Sequence, residues 1–148
     1  MIKIDIENLN HKLMIRLSSF VNIEKLDIIK NESGYYAVLD SVNNLSFAVC
    51  TDEIVLRYCK EHQHFYAFDY KDEKEWIEAF AALLRKIVNR TVKFEYCYRG
   101  KVPTKTRIYS LNEQSNWELI ENVNTSLNFF RSFYPIRIVT ETIVFQQQ

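Results

Sequence analysis

In CKEHQHF, Cys59, His62 and His64 bring a thiol and two imidazoles into one short stretch. Thiolate and imidazole are zinc ligands, and two histidines spaced by one residue share one side of a strand. A fourth ligand has no source in the same stretch, although Asp40, Asp52 and Cys50 are conceivable across a sheet. A single HxH at a strand start reads more plainly as polar side chains at a hairpin end, so no metal is expected. Cys59 and His62 are also close enough in sequence to suggest a nucleophile and its base. Adjacency does not make a triad, however, and no oxyanion loop is apparent. His11 falls on the polar side of a helical stretch. Carboxylates crowd Asp72 to Glu78, but acid–base work requires burial that splits their pKa values. These acids read instead as the start of a helix. With only Gly34 and Gly100, and no GxGxxG, GxxxxGK[ST] or GxSxG, the chain lacks the glycine loops that bring backbone onto phosphates. No catalytic residue and no cofactor are expected.

The elements that would position these groups follow from periodicity. Leu9, Leu13, Leu17 and Phe20 recur at helical spacing, which predicts a first helix over Glu7 to Val21. Short strands are predicted at Lys25–Lys30, Tyr35–Asp40, Leu45–Cys50, Glu53–Cys59 and His64–Tyr70, separated by polar turns such as NESG and SVNN. Such close spacing leaves no room for crossovers, so the strands must be antiparallel neighbours. In DEKEWIEAFAALLRKIVN, Asp72 to Asn89, residues Trp76, Phe80, Leu83, Leu84 and Ile87 form one apolar stripe. Acids at its start and Arg85 and Lys86 at its end complement the helix dipole. Thr91–Arg99 and Val102–Tyr109 form a hairpin around Gly100, and Trp117–Ile120 follows as a short strand. Leu127, Phe130, Phe133 and Tyr134 suggest a short helix before Pro135, and Ile136–Phe145 alternates as a last strand. The expected fold is α+β: a mostly antiparallel sheet of short strands packed against one long helix, with a first helix and a short late helix. One domain is expected over residues 1–148.

Charge is distributed unevenly. The formal net charge is zero, yet residues 85–107 hold eight Lys or Arg and one acid. Residues 1–84 are net −5, and residues 108–148 are net −2. A neutral total argues against a dedicated duplex binder. A polarised surface still selects charged partners. The acidic Asp69, Asp72, Glu73, Glu75 and Glu78 are the expected contact cluster, and the basic Lys93, Arg99, Lys101, Lys105 and Arg107 are the alternative. On the first hairpin strand Val92, Phe94, Tyr96 and Tyr98 alternate with Lys93, Glu95, Cys97 and Arg99. Its rings and cations therefore point to opposite faces, whereas a single-strand platform wants them on one. Nucleic acid is accordingly the alternative reading and a protein partner the leading one.

Three cysteines without CxxC spacing, no apolar run long enough to span a bilayer, and an N-terminus without a signal-peptide pattern fit a reduced, cytoplasmic setting without membrane. Compact size, no catalytic motif, clustered charge and the hairpin FEYCYRGKVPTKTRIY followed by WELI together resemble the small immunity proteins of bacterial toxin systems. The resemblance is architectural and carries no family residues over. It implies a non-enzymatic domain that occludes the active site of one cognate toxin, its exposed acids meeting a basic toxin surface. A homodimer through a sheet edge is the further option.

Overall fold

The computed structural model describes residues 4–124 and 134–147. The chain forms two compact units, one of Met1–Val88 with Phe145–Gln148 and one of Asn89–Val144. The fold is α+β, and among the described residues every strand pairing is antiparallel. The strands divide between two sheets rather than one, five in the first unit and four in the second. The expected short helix at Leu127, Phe130 and Phe133 falls outside the described residues.

In the first unit α1 (Ile6–Leu17) begins at Asp5, whose carboxylate accepts from the backbone N–H of Glu7 and Asn8. Five strands follow in sequence and in space: β1 (Asp27–Asn31), β2 (Gly34–Asp40), β3 (Leu45–Val49), β4 (Glu53–Tyr58) and β5 (Glu61–Tyr66). Then α2 (Glu73–Ile87) starts at Asp72, which accepts from the N–H of Glu75 at 2.8 Å. The 15-residue α2 presents Trp76, Phe80, Ala81, Leu84 and Ile87 as its buried stripe. Leu9, Leu13 and Leu17 of α1 are equally buried, as are Phe47, Val49, Ile54, Leu56 and Phe65 of the sheet. Phe80 sits edge-on to Phe47 and Phe65, with ring centres 5.1 and 5.6 Å away. Trp76 donates its indole N–H to the Phe65 carbonyl at 2.8 Å, so its polar atom enters the core satisfied. Burial of rings this size supplies roughly 2–3 kcal/mol each before chain entropy is charged.

Where the expectation and the strands differ, the turns explain it. His64–Tyr70 is predicted as the fifth strand, but β5 begins at Glu61 and ends at Tyr66. The turn is the pair Cys59–Lys60, in which Cys59 takes the left-handed conformation, φ 56°, without glycine's freedom.

The second unit is a four-stranded sheet in the order β8-β7-β6-β9. Its strands are β6 (Thr91–Arg99), β7 (Val102–Leu111), β8 (Trp117–Asn124) and β9 (Ile136–Val144). Gly100 turns the β6–β7 hairpin with φ 61°, the conformation expected at the first central residue of a type II′ turn. Two irregularities matter for the surface. The register between β6 and β7 shifts between Cys97 and Tyr98, leaving Thr104 as an extra residue on β7. The register between β7 and β8 shifts at Ile108 and Tyr109, leaving Ile120 extra on β8.

Candidate interaction surface

The basic hairpin lies at the centre of the second sheet, with β6 paired on both sides. Alternation holds over the first half of β6, where Val92 and Phe94 are fully buried and Lys93 and Glu95 are not; beyond it Tyr96 and Tyr98 are half-buried while Cys97, on the cation face, is buried. Glu95 opposes Arg107, Cys97 opposes Lys105 and Lys93 opposes Tyr109, so all six share one face of the sheet. The neighbouring strand adds what the hairpin alone does not show. Lys93 holds its ammonium 4.8 Å from the Tyr109 ring centre and 4.6 Å from that of Trp117. Trp117 and Leu119 on β8 are exposed, and so are Ile136 and Ile138 on β9, which oppose Arg99 and Cys97. Rings, aliphatic side chains and cations therefore share one open face.

Its charges are partly compensated. Glu95 lies 3.4 Å from Arg107 Nε and 3.8 Å from Lys93 Nζ. The Arg107 Nε–H makes no hydrogen bond there, so that contact is electrostatic only. A second Arg107 nitrogen lies 3.7 Å from Cys97 Sγ. Arg99 donates to the Tyr134 carbonyl at 3.3 Å, and Lys101 is exposed in the turn. Five cations thus meet one acid of the hairpin, and the face keeps a positive bias.

The acidic cluster is arranged differently. Asp72 and Glu75 are absorbed by the start of α2: Asp72 caps the helix, and Glu75 accepts from the backbone N–H of Lys71 at 2.8 Å. Glu73 pairs with Lys12 at 2.8 Å, and Glu78 takes both Nε and Nη2 of Arg16. Those hydrogen bonds with Arg16 hold the Glu78 carboxyl below its usual range. Asp69 is exposed just ahead of the helix. Four of the five acids are therefore engaged within the first unit, by the helix end or by α1.

The thiol and imidazole candidates do not assemble. His62 and His64 lie side by side with ring centres 5.2 Å apart, but the His64 Nδ1 is 2.8 Å from Glu53. Among the described residues no three His, Cys, Asp or Glu gather as metal ligands. Cys59 opens on a hollow of about 370 Å³ shared with Tyr36, Asp40, Ser46 and Arg57. The Asp40 carboxylate there is spent on the N–H groups of Val42, Asn43 and Gln146 and on the Asn43 side chain. Burial, with Glu53 and Asp52 nearby, pushes the Cys50 thiol up, which keeps it protonated at neutral pH. His11 is exposed on α1.

One surface feature has no counterpart in the expectations. His62, His64 and Tyr66 of β5 and Phe68 of the 3-10 turn after it form a column of rings, with successive centres 5.2, 5.6 and 5.2 Å apart. Phe68 is 79% exposed. The signal is the alternation HxHxY, which places three rings on one side once the strand is known to begin at Glu61; Phe68 joins them from the 3-10 turn Ala67–Asp69.

No protein-family model, no curated protein and no solved structure matches this chain.

Proposed function

We propose that this chain is a non-enzymatic protein-binding domain whose docking surface is the open face of β6–β9. In its most specific form it is an immunity protein that neutralises a cognate bacterial toxin by covering its active site. The observation that supports this reading is the grouping of Lys93, Tyr109, Trp117 and Leu119 with Ile138 on that face. Aromatic anchors ringed by charge are what a protein interface concentrates at its centre. The acids of α2 make a poorer surface, because α1 and the helix end already hold four of them. The partner is therefore expected to present acidic groups around an apolar centre.

The test is to sequence the neighbouring genes and co-express this chain with any toxin domain found there. Protection should survive Asp69→Lys and fail with Trp117→Ala combined with Lys93→Glu. Full protection by the combined variant would remove this face from consideration. A host that this chain never protects would remove the toxin reading.

A second reading keeps one supporting observation: Tyr109 and Trp117 stand beside cations, as a single-strand RNA or DNA platform requires. Against it, the Lys93 ammonium already covers both rings, so a base must displace it to stack. Anisotropy of a labelled single-stranded oligonucleotide separates the two. Salt-dependent binding lost on Arg99→Glu with Arg107→Glu supports nucleic acid, and no binding at low salt excludes it.

A further inference from the structure

Among the described residues the second sheet ends at β8 and β9, and these two edges are built differently. On β8 the extra residue Ile120 breaks the register, and Glu118, Glu121, Asn122 and Asn124 line the strand. A bulge and charges are the usual protection of an open edge. On β9 the register with β6 runs unbroken through nine pairs, from Thr91–Val144 to Arg99–Ile136. Eight of its nine residues are exposed, among them Ile136, Ile138, Val139 and Val144. It carries neither Lys nor Pro, and its charges are Arg137 and Glu141 alone. The edges of the first sheet are shorter, five residues in β1 and six in β5.

Those two charges are placed symmetrically about Val139. When an antiparallel strand pairs with its own copy, the two residue numbers in every pair have one constant sum. That sum must be even, because the outward-facing backbone groups alternate. The register centred on Val139 sets Arg137 opposite the Glu141 of the second copy, and does so twice about the axis. Val139 meets its own copy between them, and Ile138 faces Thr140 on the other side. Centring one residue earlier sets Arg137 against Val139, and centring one residue later sets it against Ile143. Directly opposed side chains lie about 5 Å apart at Cβ, within reach of an ion pair. The Arg137 guanidinium already lies 4.9 Å from the Tyr98 ring centre, so its stem is held on that face.

We propose that β9 pairs antiparallel with the β9 of a second copy of this chain about a two-fold axis at Val139, giving one continuous eight-stranded sheet. The contact is isologous and closes at two copies. It uses the edge of β9 rather than the partner face proposed above, with Ile138 bordering both.

Sedimentation equilibrium of the full chain, from about 1 µM to about 1 mM, reads it directly. A monomer–dimer equilibrium is expected. Arg137→Glu and Glu141→Arg should each raise the dimer dissociation constant about tenfold or more. An equimolar mixture of those two variants should dimerise again, because each charge then meets its opposite, and the chain carrying both changes should recover on its own. Hydrogen exchange of the unaltered chain gives a second readout: β9 amides should gain protection as concentration rises, and β8 amides should not. A chain monomeric at every concentration, a dimer indifferent to both single reversals, or a mixture no tighter than its components would overturn the proposal.

Discussion

Arg16 on α1 grips Glu78 on α2 at two points, Nε to Oε1 at 2.5 Å and Nη2 to Oε2 at 3.1 Å. The pair joins residues 62 positions apart. Both side chains are part-exposed, so solvent screening limits the coupling to about 0.2–1 kcal/mol. A double-mutant cycle with Arg16→Ala and Glu78→Ala should return a value in that range. The folded carboxyl sits below its unfolded value. Its contribution is therefore fully present above the ordinary carboxylate range and is lost as pH falls through the depressed folded value. Glu78→Gln should lower stability at neutral pH and converge with the unaltered chain in strong acid. Equal stabilities at neutral pH would show that the pair contributes nothing.

Gly34 opens β2 with φ 146°, and a Cβ placed there would lie 1.9 Å from the Val49 carbonyl oxygen. The clash is with backbone of an interior strand, so no side-chain rotation relieves it. Gly34→Ala should cost about 2–4 kcal/mol in urea unfolding. A loss under about 0.5 kcal/mol would mean that β2 and β3 separate easily at this point.

Cys59 invites the opposite change. Its φ of 56° is costly for a residue with a Cβ. Cys59→Gly removes that cost but adds freedom to the unfolded chain, leaving a net gain of up to about 1 kcal/mol. The expected rise in Tm is roughly 3 °C. A fall instead would show that the thiol's packing outweighs its backbone strain.

What the sequence made legible was local. The α2 stripe, its Asp72 cap and the burial of Val92 and Phe94 at the start of β6 were readable, because each depends on neighbours within a turn or a strand; the half-exposed Tyr96 and the buried Cys97 were not. The long-range partners were not. Nothing near Glu73 and Glu78 announces that Lys12 and Arg16 will meet them, and without that pairing the acids read as a free contact cluster. Trp117 reaches Lys93 across an intervening strand, a relation that needs the order of the sheet. The fifth strand was misplaced because a cysteine, not a glycine or asparagine, supplies the turn's positive φ. The division into two sheets left no composition signal, since no Pro- or Gly-rich stretch separates β5 from β6.

Asp40 joins the end of β2 to the last residues of the chain. It is 1% exposed, and its carboxylate accepts from Val42, from Asn43 by backbone and side chain, and from the backbone N–H of Gln146 at 3.1 Å. Burial by itself pushes the carboxyl up. The hydrogen bonds, led by the Asn43 side chain and the Gln146 backbone, outweigh it and hold the group below its ordinary value. The ionised form is therefore the one the fold selects. Its stabilisation is complete above the unfolded carboxylate pKa and disappears as pH falls through the folded one. Asp40→Asn keeps the size but replaces one acceptor oxygen with a donor, facing N–H groups that need acceptors. It should cost about 2–3 kcal/mol at neutral pH, the scale of hydrogen bonds to a charged acceptor. The loss should shrink in acid, where the native carboxyl is protonated too. Hydrogen exchange adds a local readout: the amides of Val42, Asn43 and Gln146 should lose protection together, while those of β6 and β7 keep theirs. If Gln146 stays protected in the Asp40→Asn chain, the carboxylate is not what fastens the end of the chain to β2.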